Sequence, residues 1–208
     1  MLESYRLWRD GDWMAESELI ATIKGEFRPT RAVLAGQAFG KVLERPDRYV
    51  IDGGYGITVH GPDGPQTFTM DDEVMRPAFA LMDYVHGVFE VRAGKVYGDA
   101  YVAAVADQVV GDHVIEHKTT AAFDLDKYAS SYQWRFYADI FGASRITYHV
   151  FIIDDHGNGV LEVRGIESFH LYPYPDLHDD CAALVSEFHD YVKLRGLEGL
   201  LRARQAAA

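Results

Sequence analysis

The chain has one cysteine, Cys181, among its 208 residues. A disulfide within the chain is therefore excluded, and so is any cluster of thiolates for zinc or iron–sulfur. Basic residues are also scarce: Lys and Arg total 20 against 32 Asp and Glu, a formal net charge of −12. Such a balance argues against a protein that adheres generally to nucleic acid. It does not exclude an enzyme acting on nucleic acid, because clustered carboxylates that bind a cation contribute to the same count. No apolar run approaches the length of a membrane span, and the first residues, MLESYRLWRDGDWM, contain no apolar stretch of signal-peptide length. The expectation is a soluble protein of the cytoplasm, with no membrane partner. No repeat or low-complexity linker divides the sequence. At 48% hydrophobic and 25% charged residues it has the composition of one globular domain over residues 1–208.

What is present centres on the stretch Val105–Thr120, VADQVVGDHVIEHKTT. Two β-rich runs flank Gly111-Asp112, a dipeptide suited to a two-residue hairpin turn. A hairpin centred there sets Val110 against His113, Val109 against Val114 and Asp107 against Glu116. Strand alternation then puts Asp107, Glu116 and Lys118 on one face, with Ile115 and His117 on the other. Two carboxylates facing each other across a sheet repel. A divalent cation would compensate them, with Lys118 as a point charge for a phosphate or a developing oxyanion. A solvated edge hairpin with scattered charges gives the same pattern, and a one-residue slip would reverse the faces.

The remaining elements are read in chain order. Residues 1–15 show no clear period. Ser17 is a candidate cap for a short helix through Ile23, ended by Gly25. Thr30 caps a helix Arg31–Glu44 with an apolar stripe of Val33, Leu34, Ala38, Val42 and Leu43. Gly36, Gly40 and Glu44 share one face of it, a sign of close packing or close approach of a ligand. Glu44 opposes the helix dipole unless a cation is near, although an exposed terminal glutamate has the same signature. Pro46 ends that helix, and Tyr49–Thr69 reads as short strands. Asp71–Val85 reads as a helix with Pro77 inside, and Val88–Tyr97 as alternating strand turning at Ala93-Gly94-Lys95.

The next helix is placed at Asp126–Phe141, where Gln133 and Tyr137 form a polar pair one turn apart among aromatics that mostly fill a core. Arg145–Asp154 is a buried strand in which His149 is a satisfied sheet residue. Val160–Arg164 returns as a strand, Asp176–Leu194 closes as a helix burying Cys181, and the tail ending in RARQAAA frays. The fold class is α/β or α+β, with a central mixed β-sheet flanked by helices.

Four features occur in order: Glu44 ending a Gly-x-x-x-Gly-x-x-x-Glu helix, Asp107, Glu116-x-Lys118, and Gln133-x-x-x-Tyr137 on the following helix. Together they resemble the PD-(D/E)XK nuclease superfamily, and most closely its RecB-type branch with the phage exonuclease-like proteins. The string VIEHKTT followed by the Gln-x-x-x-Tyr helix is the most specific part, and the likeness covers roughly residues 17 to 154. The resemblance implies a restriction-endonuclease-like core and a Mg²⁺-dependent deoxyribonuclease, Mn²⁺ substituting, of exonuclease type in recombination or repair. It implies Asp107 and Glu116 as metal ligands, Glu44 as a direct or water-mediated ligand, and the backbone carbonyl of His117 as another. Lys118 would orient or deprotonate the attacking water and stabilise the phosphate, while Gln133 and Tyr137 would position DNA. Homo-oligomers and a single-strand-annealing or recombination partner protein fit the same family, as does the host cytoplasm for a phage-encoded chain. Many RecB-type members carry a histidine where this chain has Gly40, so no histidine ligand is assigned. The competing reading is a catalytically silent nuclease-fold protein that binds nucleic acid or a partner protein.

Overall fold

The computed structural model describes residues 1–12 and 14–201; of the tail expected to fray, 197–208, residues 198–201 are helical and 202–208 lie outside the described part. The chain runs α1 (Leu2–Arg9), α2 (Glu16–Lys24), α3 (Arg31–Glu44), a 3₁₀ turn (Pro46–Arg48), β1 (Val50–Ile51), β2 (Gly54–Gly61) and β3 (Gly64–Asp71). It continues through α4 (Asp72–Phe79), β4 (Val88–Tyr97), β5 (Ala100–Val110), β6 (His113–Thr120), α5 (Leu125–Ala129), α6 (Gln133–Phe141), β7 (Arg145–Asp155), β8 (Leu161–Leu171) and α7 (Leu177–Leu194). The fold is mixed α/β. Five strands form a sheet in the order β4-β5-β6-β7-β8, in which β6 and β7 are parallel and all other neighbours antiparallel. Strands β1–β3 form a separate small sheet, joined to the first by a bridge between Thr69 and Val160.

Strand β7 ties two cores together. Ile146, Tyr148 and Val150 enter one with α1, α2, α6 and α7. Phe151 and Ile153 enter the other with α3, α4 and the small sheet. Helix α3 starts as its sequence directs, with Thr30 Oγ1 accepting from Val33 N at 3.4 Å. It also lies close on β6: a Cβ at Gly36 would sit 2.5 Å from Thr119 Oγ1. That close approach requires a glycine, and it carries the C-terminal end of α3, with Glu44, toward the hairpin.

Several expectations need correction. The first residues form α1, whose period is hidden because its inward face includes Arg6, buried among Glu3, Asp10 and Asp12. Helix α2 starts after Ala15, with no cap at Ser17. Helix α4 stops at Phe79, and Asp83 then takes the Val85 and His86 N–H groups into a turn. Strand β4 passes straight through Gly94, where a Cβ would lie 2.1 Å from the Tyr101 hydroxyl; the ring occupies the space, and the chain reverses at Gly98-Asp99 instead. Strand β8 extends to Leu171.

The helix placed at Asp126–Phe141 is two helices. Ser131 Oγ accepts the Gln133 N–H and Glu3 Oε2 accepts the Tyr132 N–H, so side chains replace the helical ladder at the break. No helix among the described residues is long and apolar enough to cross a membrane.

Candidate functional site

The hairpin has the register read from the sequence as far as Gln108 opposite Ile115, with Val109 opposite Val114 and Val110 opposite His113. Beyond that the expected pairing of Asp107 with Glu116 is not made. Asp107 Oδ2 accepts the backbone N–H of His117 at 2.7 Å, so its carboxylate inserts where the ladder would continue. The two strands part at this point, and the site lies in the opening.

Glu116 is 3% exposed. Its Oε1 accepts from Lys118 Nζ at 2.7 Å and from Gln133 Nε2 at 2.8 Å. Its Oε2 is buried without a partner. Burial raises the Glu116 pKa, Lys118 opposes that rise, and the charge of Asp107 adds to it. Asp107 is raised as well, first by burial, against the lowering effects of the His117 N–H and Lys118. Burial pushes Lys118 down, but Glu116 and Asp107 outweigh it and hold the ammonium above its ordinary value.

Glu44 belongs to the same neighbourhood. Burial, then the charges of Glu90 and Asp107, push its carboxyl up to about 7. Glu90 was missed from the sequence. With the β4–β5 turn at Gly98-Asp99, Phe89 pairs with Gln108 and Val91 with Ala106, which leaves Glu90 opposite Asp107. Placing that turn at residues 93–95 concealed the relationship.

The other predicted residues divide. The His117 ring is buried beside His149 with centroids 6.0 Å apart, its Nε2 has no partner, and burial holds its pKa down at about 4. The ring is therefore neutral at pH 7, and the peptide, held by Asp107, is the part of His117 that belongs to the site. Gln133 Nε2 also donates to the Tyr137 hydroxyl at 2.8 Å, and that hydroxyl donates to the Val105 carbonyl at 2.7 Å. Tyr137 is 5% exposed with its hydroxyl engaged on both sides. That hydroxyl fixes Gln133, which fixes Glu116; the positioning of DNA by Gln133 and Tyr137 stays a proposal. His149 is a satisfied sheet residue, its Nδ1 2.7 Å from Ser168 Oγ.

Both Gln133 and Tyr137 border a cavity of about 1270 Å³ bounded by α1, β4, β5, α6 and α7. Tyr101, Tyr132, Phe136 and Arg92 also line it, with Glu3 and Asp99 among its acidic groups.

Glu116 is thus withdrawn from water, Asp107, Glu44 and Lys118 are part-exposed, and Glu90 is exposed. A hard divalent cation suits that donor chemistry, and the unpartnered Glu116 Oε2 is the atom that most needs one. Among the described residues no three His, Cys, Asp or Glu side chains close on a common point. Binding a cation would therefore require these side chains to be drawn together, with Glu116 sharing its charge between Lys118 and the ion.

No family model and no curated protein matches this chain. Among solved structures, one titled "Crystal structure of SSO0001" is similar at 16% identity, with a TM-score of 0.37. The match covers 56% of this chain and 52% of that one, about half of each, and a likeness this distant carries no argument about function.

Proposed function

We propose that this chain is a metal-dependent deoxyribonuclease of the PD-(D/E)XK type, hydrolysing phosphodiester bonds as an exonuclease in phage-type recombination or repair. The observation that carries the reading is Glu116: a buried carboxylate with one oxygen held by Lys118 and Gln133 and the other unpartnered beside Asp107. Glu44, Asp107 and Glu116, with the His117 carbonyl, are the groups that would hold Mg²⁺ or Mn²⁺. Such an ion, when bound, neutralises phosphate charge and lowers the pKa of water.

The chain's own residues supply the rest. Lys118 stays protonated beside Glu116 at neutral pH, so its part is electrostatic: it places a positive charge where the phosphate gains negative charge. Gln133 fixes the Glu116 carboxylate in one orientation, and Tyr137 fixes Gln133. Asp107 holds the His117 peptide and keeps β5 and β6 apart, which leaves the opening for a substrate strand. DNA as substrate, a homo-oligomer and a recombination partner protein belong to the same proposal through the family resemblance.

A second reading has its own support. Among the described residues no three carboxylates close together, and the cavity beside Gln133 includes acidic groups. The first favours a nuclease fold that binds nucleic acid or a partner protein without cutting, and the second favours the partner protein, because acidic groups repel a phosphate backbone.

The deciding experiment incubates end-labelled linear duplex and closed circular DNA with Mg²⁺, Mn²⁺ or EDTA, beside an Asp107→Ala variant. Metal-dependent loss of the linear substrate alone, absent in the variant, is the expected result. Cutting of the circle would replace exonuclease with endonuclease. DNA bound but uncut would favour the silent protein.

A further inference from the structure

Strand β5 loses a neighbour part-way along. It pairs with β4 from Ala100, opposite Tyr97, to Val109, opposite Val88, but with β6 only from Gln108 to Val110. Over residues 100–107 no strand lies on its other side among the described residues. The Val105 carbonyl accepts from the Tyr137 hydroxyl at 2.7 Å, so the main-chain groups of Val105 point to that open side. Main-chain groups alternate in direction along an antiparallel strand, and those of Ala103 and Tyr101 therefore point the same way. No main-chain partner among the described residues meets them there. An unpaired strand edge of this kind is a template for another strand.

The open edge borders the cavity of about 1270 Å³. Small-molecule pockets occupy roughly 300–1,000 Å³, so this space suits a segment of chain. The sequence makes the room: β5 reads AYVAAVA here, and its alanines leave the backbone accessible. Ala100, Val102 and Ala104 pack on the core of α6 and α7 but stay only partly buried, and Phe136 and Phe188 line the same space. The charged groups are mostly acidic. Glu3 is paired with Arg6, whereas Asp99 and Glu198 take part in no ion pair among the described residues. Arg92 is the one Lys or Arg among the described residues lining the cavity, and the chain as a whole carries a net charge of −12.

We propose that this edge is the docking site for an extended segment of a partner protein, with apolar and basic side chains in alternation. The segment adds as a strand beside residues 101–105, a stretch of ~17 Å. Its main chain takes the N–H and C=O groups of Tyr101 and Ala103, which gives affinity, and its side chains give selectivity. The apolar ones enter toward Val102, Ala104 and Phe136, and the Lys or Arg residues meet Asp99 and Glu198. A nucleic-acid strand suits the edge less, because its phosphates would face those acids with Arg92 alone to answer them. Tyr137 already holds the Val105 carbonyl, so the docked strand ends short of Asp107. Glu116 and Lys118 take no part in it, and the inference stands apart from the nuclease reading.

The test titrates the full chain into a fluorescent peptide, acetyl-Lys-Val-Lys-Val-Lys-Val-Lys-amide, and reads anisotropy. The comparators are the same peptide with Glu for Lys, and a labelled oligothymidylate. The basic peptide is expected to bind at least about 10-fold more tightly than the acidic one. Its binding should slow amide hydrogen exchange at Tyr101 and Ala103. Ala103→Pro removes an N–H on the open side and leaves the pairing of β5 with β4, so the peptide should bind it about 10-fold more weakly. Asp99→Lys, on the exposed turn, should weaken the basic peptide and strengthen the acidic one, which keeps the test standing if the proline variant does not fold. Equal binding of the two peptides, or no binding of the basic one, would overturn the proposal. So would binding that leaves exchange at Tyr101 and Ala103 unchanged. Oligothymidylate that binds more tightly than the basic peptide and protects those amides would give the edge to nucleic acid instead. DNA cleavage is measured separately, so loss of either reading leaves the other in place.

Discussion

Gln133 Nε2 lies 2.8 Å from Glu116 Oε1 and 2.8 Å from the Tyr137 hydroxyl, so one amide couples the carboxylate on β6 to the core beneath α6. Lys118 and Gln133 bind the same oxygen and leave the other unpartnered. Replacing Gln133 with Ala releases that orientation without removing a charge. Turnover of linear DNA is expected to fall about 10- to 100-fold, the effect typical of a group that orients a metal ligand. Thermal stability should fall by only about 1 kcal/mol. A variant with unchanged turnover would detach Gln133 from the site.

Tyr137 separates positioning from DNA contact. Its hydroxyl is spent on Gln133 and the Val105 carbonyl. Tyr137→Phe removes the donor to the Val105 carbonyl and the acceptor for Gln133, at a cost of about 1 kcal/mol. Tyr137→Ala also opens a cavity and should cost about 3–5 kcal/mol. In the Phe variant, DNA affinity measured by fluorescence anisotropy should match wild type while the melting temperature drops. Weaker DNA binding at unchanged melting temperature would restore the contact role.

The sequence made the hairpin legible because two independent signals agree there, a glycine turn and strict alternation on both sides. Helix α3 was legible for a similar reason: Thr30 caps it and an apolar stripe follows. Glu44, Asp107, Glu116, Lys118 and Gln133 could be picked out because each lies on one of these regular elements or at a fixed spacing beyond them. What escaped depends on distant contacts. The break before Gln133 involves Glu3, which takes the Tyr132 N–H across the fold. Helix α1 buries Arg6, so hydrophobic periodicity fails on it. Glu90 looks like an ordinary outward residue between Val88 and Val91, and its relation to Asp107 emerges only once Gly94 is known to stay extended beneath Tyr101.

The Glu44 carboxyl, at about 7 in the fold against an ordinary 4.5, makes stability depend on pH. Between those values the folded chain keeps a proton that the unfolded chain has released. Stability therefore falls as pH rises from about 4.5 to 7, by about 2–3 kcal/mol. Glu44→Gln removes this loss, so urea denaturation should find the variant more stable than wild type at pH 8 and equal to it below pH 4.5. Adding Mg²⁺ at pH 8 should stabilise wild type more than the variant. Equal stability of the two proteins at pH 8 would show that Glu44 is not held in its raised state.

His149 acts in the opposite direction. Burial, then the neighbouring His117, His113 and His170, lower its pKa to about 4. As pH falls from 6.5 toward 4 the unfolded chain takes up a proton that the fold refuses, and stability is lost through that window. His149→Asn can keep a polar contact with Ser168 and cannot take up a proton. Its stability curve should be flatter on the acid side by about 2–3 kcal/mol, read from urea midpoints at pH 4.5 and 7. An unchanged acid limb would assign the loss to other groups.

Lys118 gives the sharpest separation of chemistry from binding. Among the described residues it is the one cation hydrogen-bonded to Glu116, and Asp107 helps to hold its proton. Lys118→Ala removes the positive charge facing the phosphate, so cleavage should fall at least about 100- to 1000-fold, as when a transition-state donor is deleted. The carboxylates remain, and with a competing cation gone they should still bind Mn²⁺ at pH 8. At lower pH that binding should weaken more steeply than in wild type, because Glu116 without its lysine takes up a proton more readily. Turnover and Mn²⁺ titration on the same variant check both halves. Unchanged turnover would remove Lys118 from the chemistry, whereas loss of Mn²⁺ binding at pH 8 would show that the lysine organises the carboxylates instead of acting on the substrate.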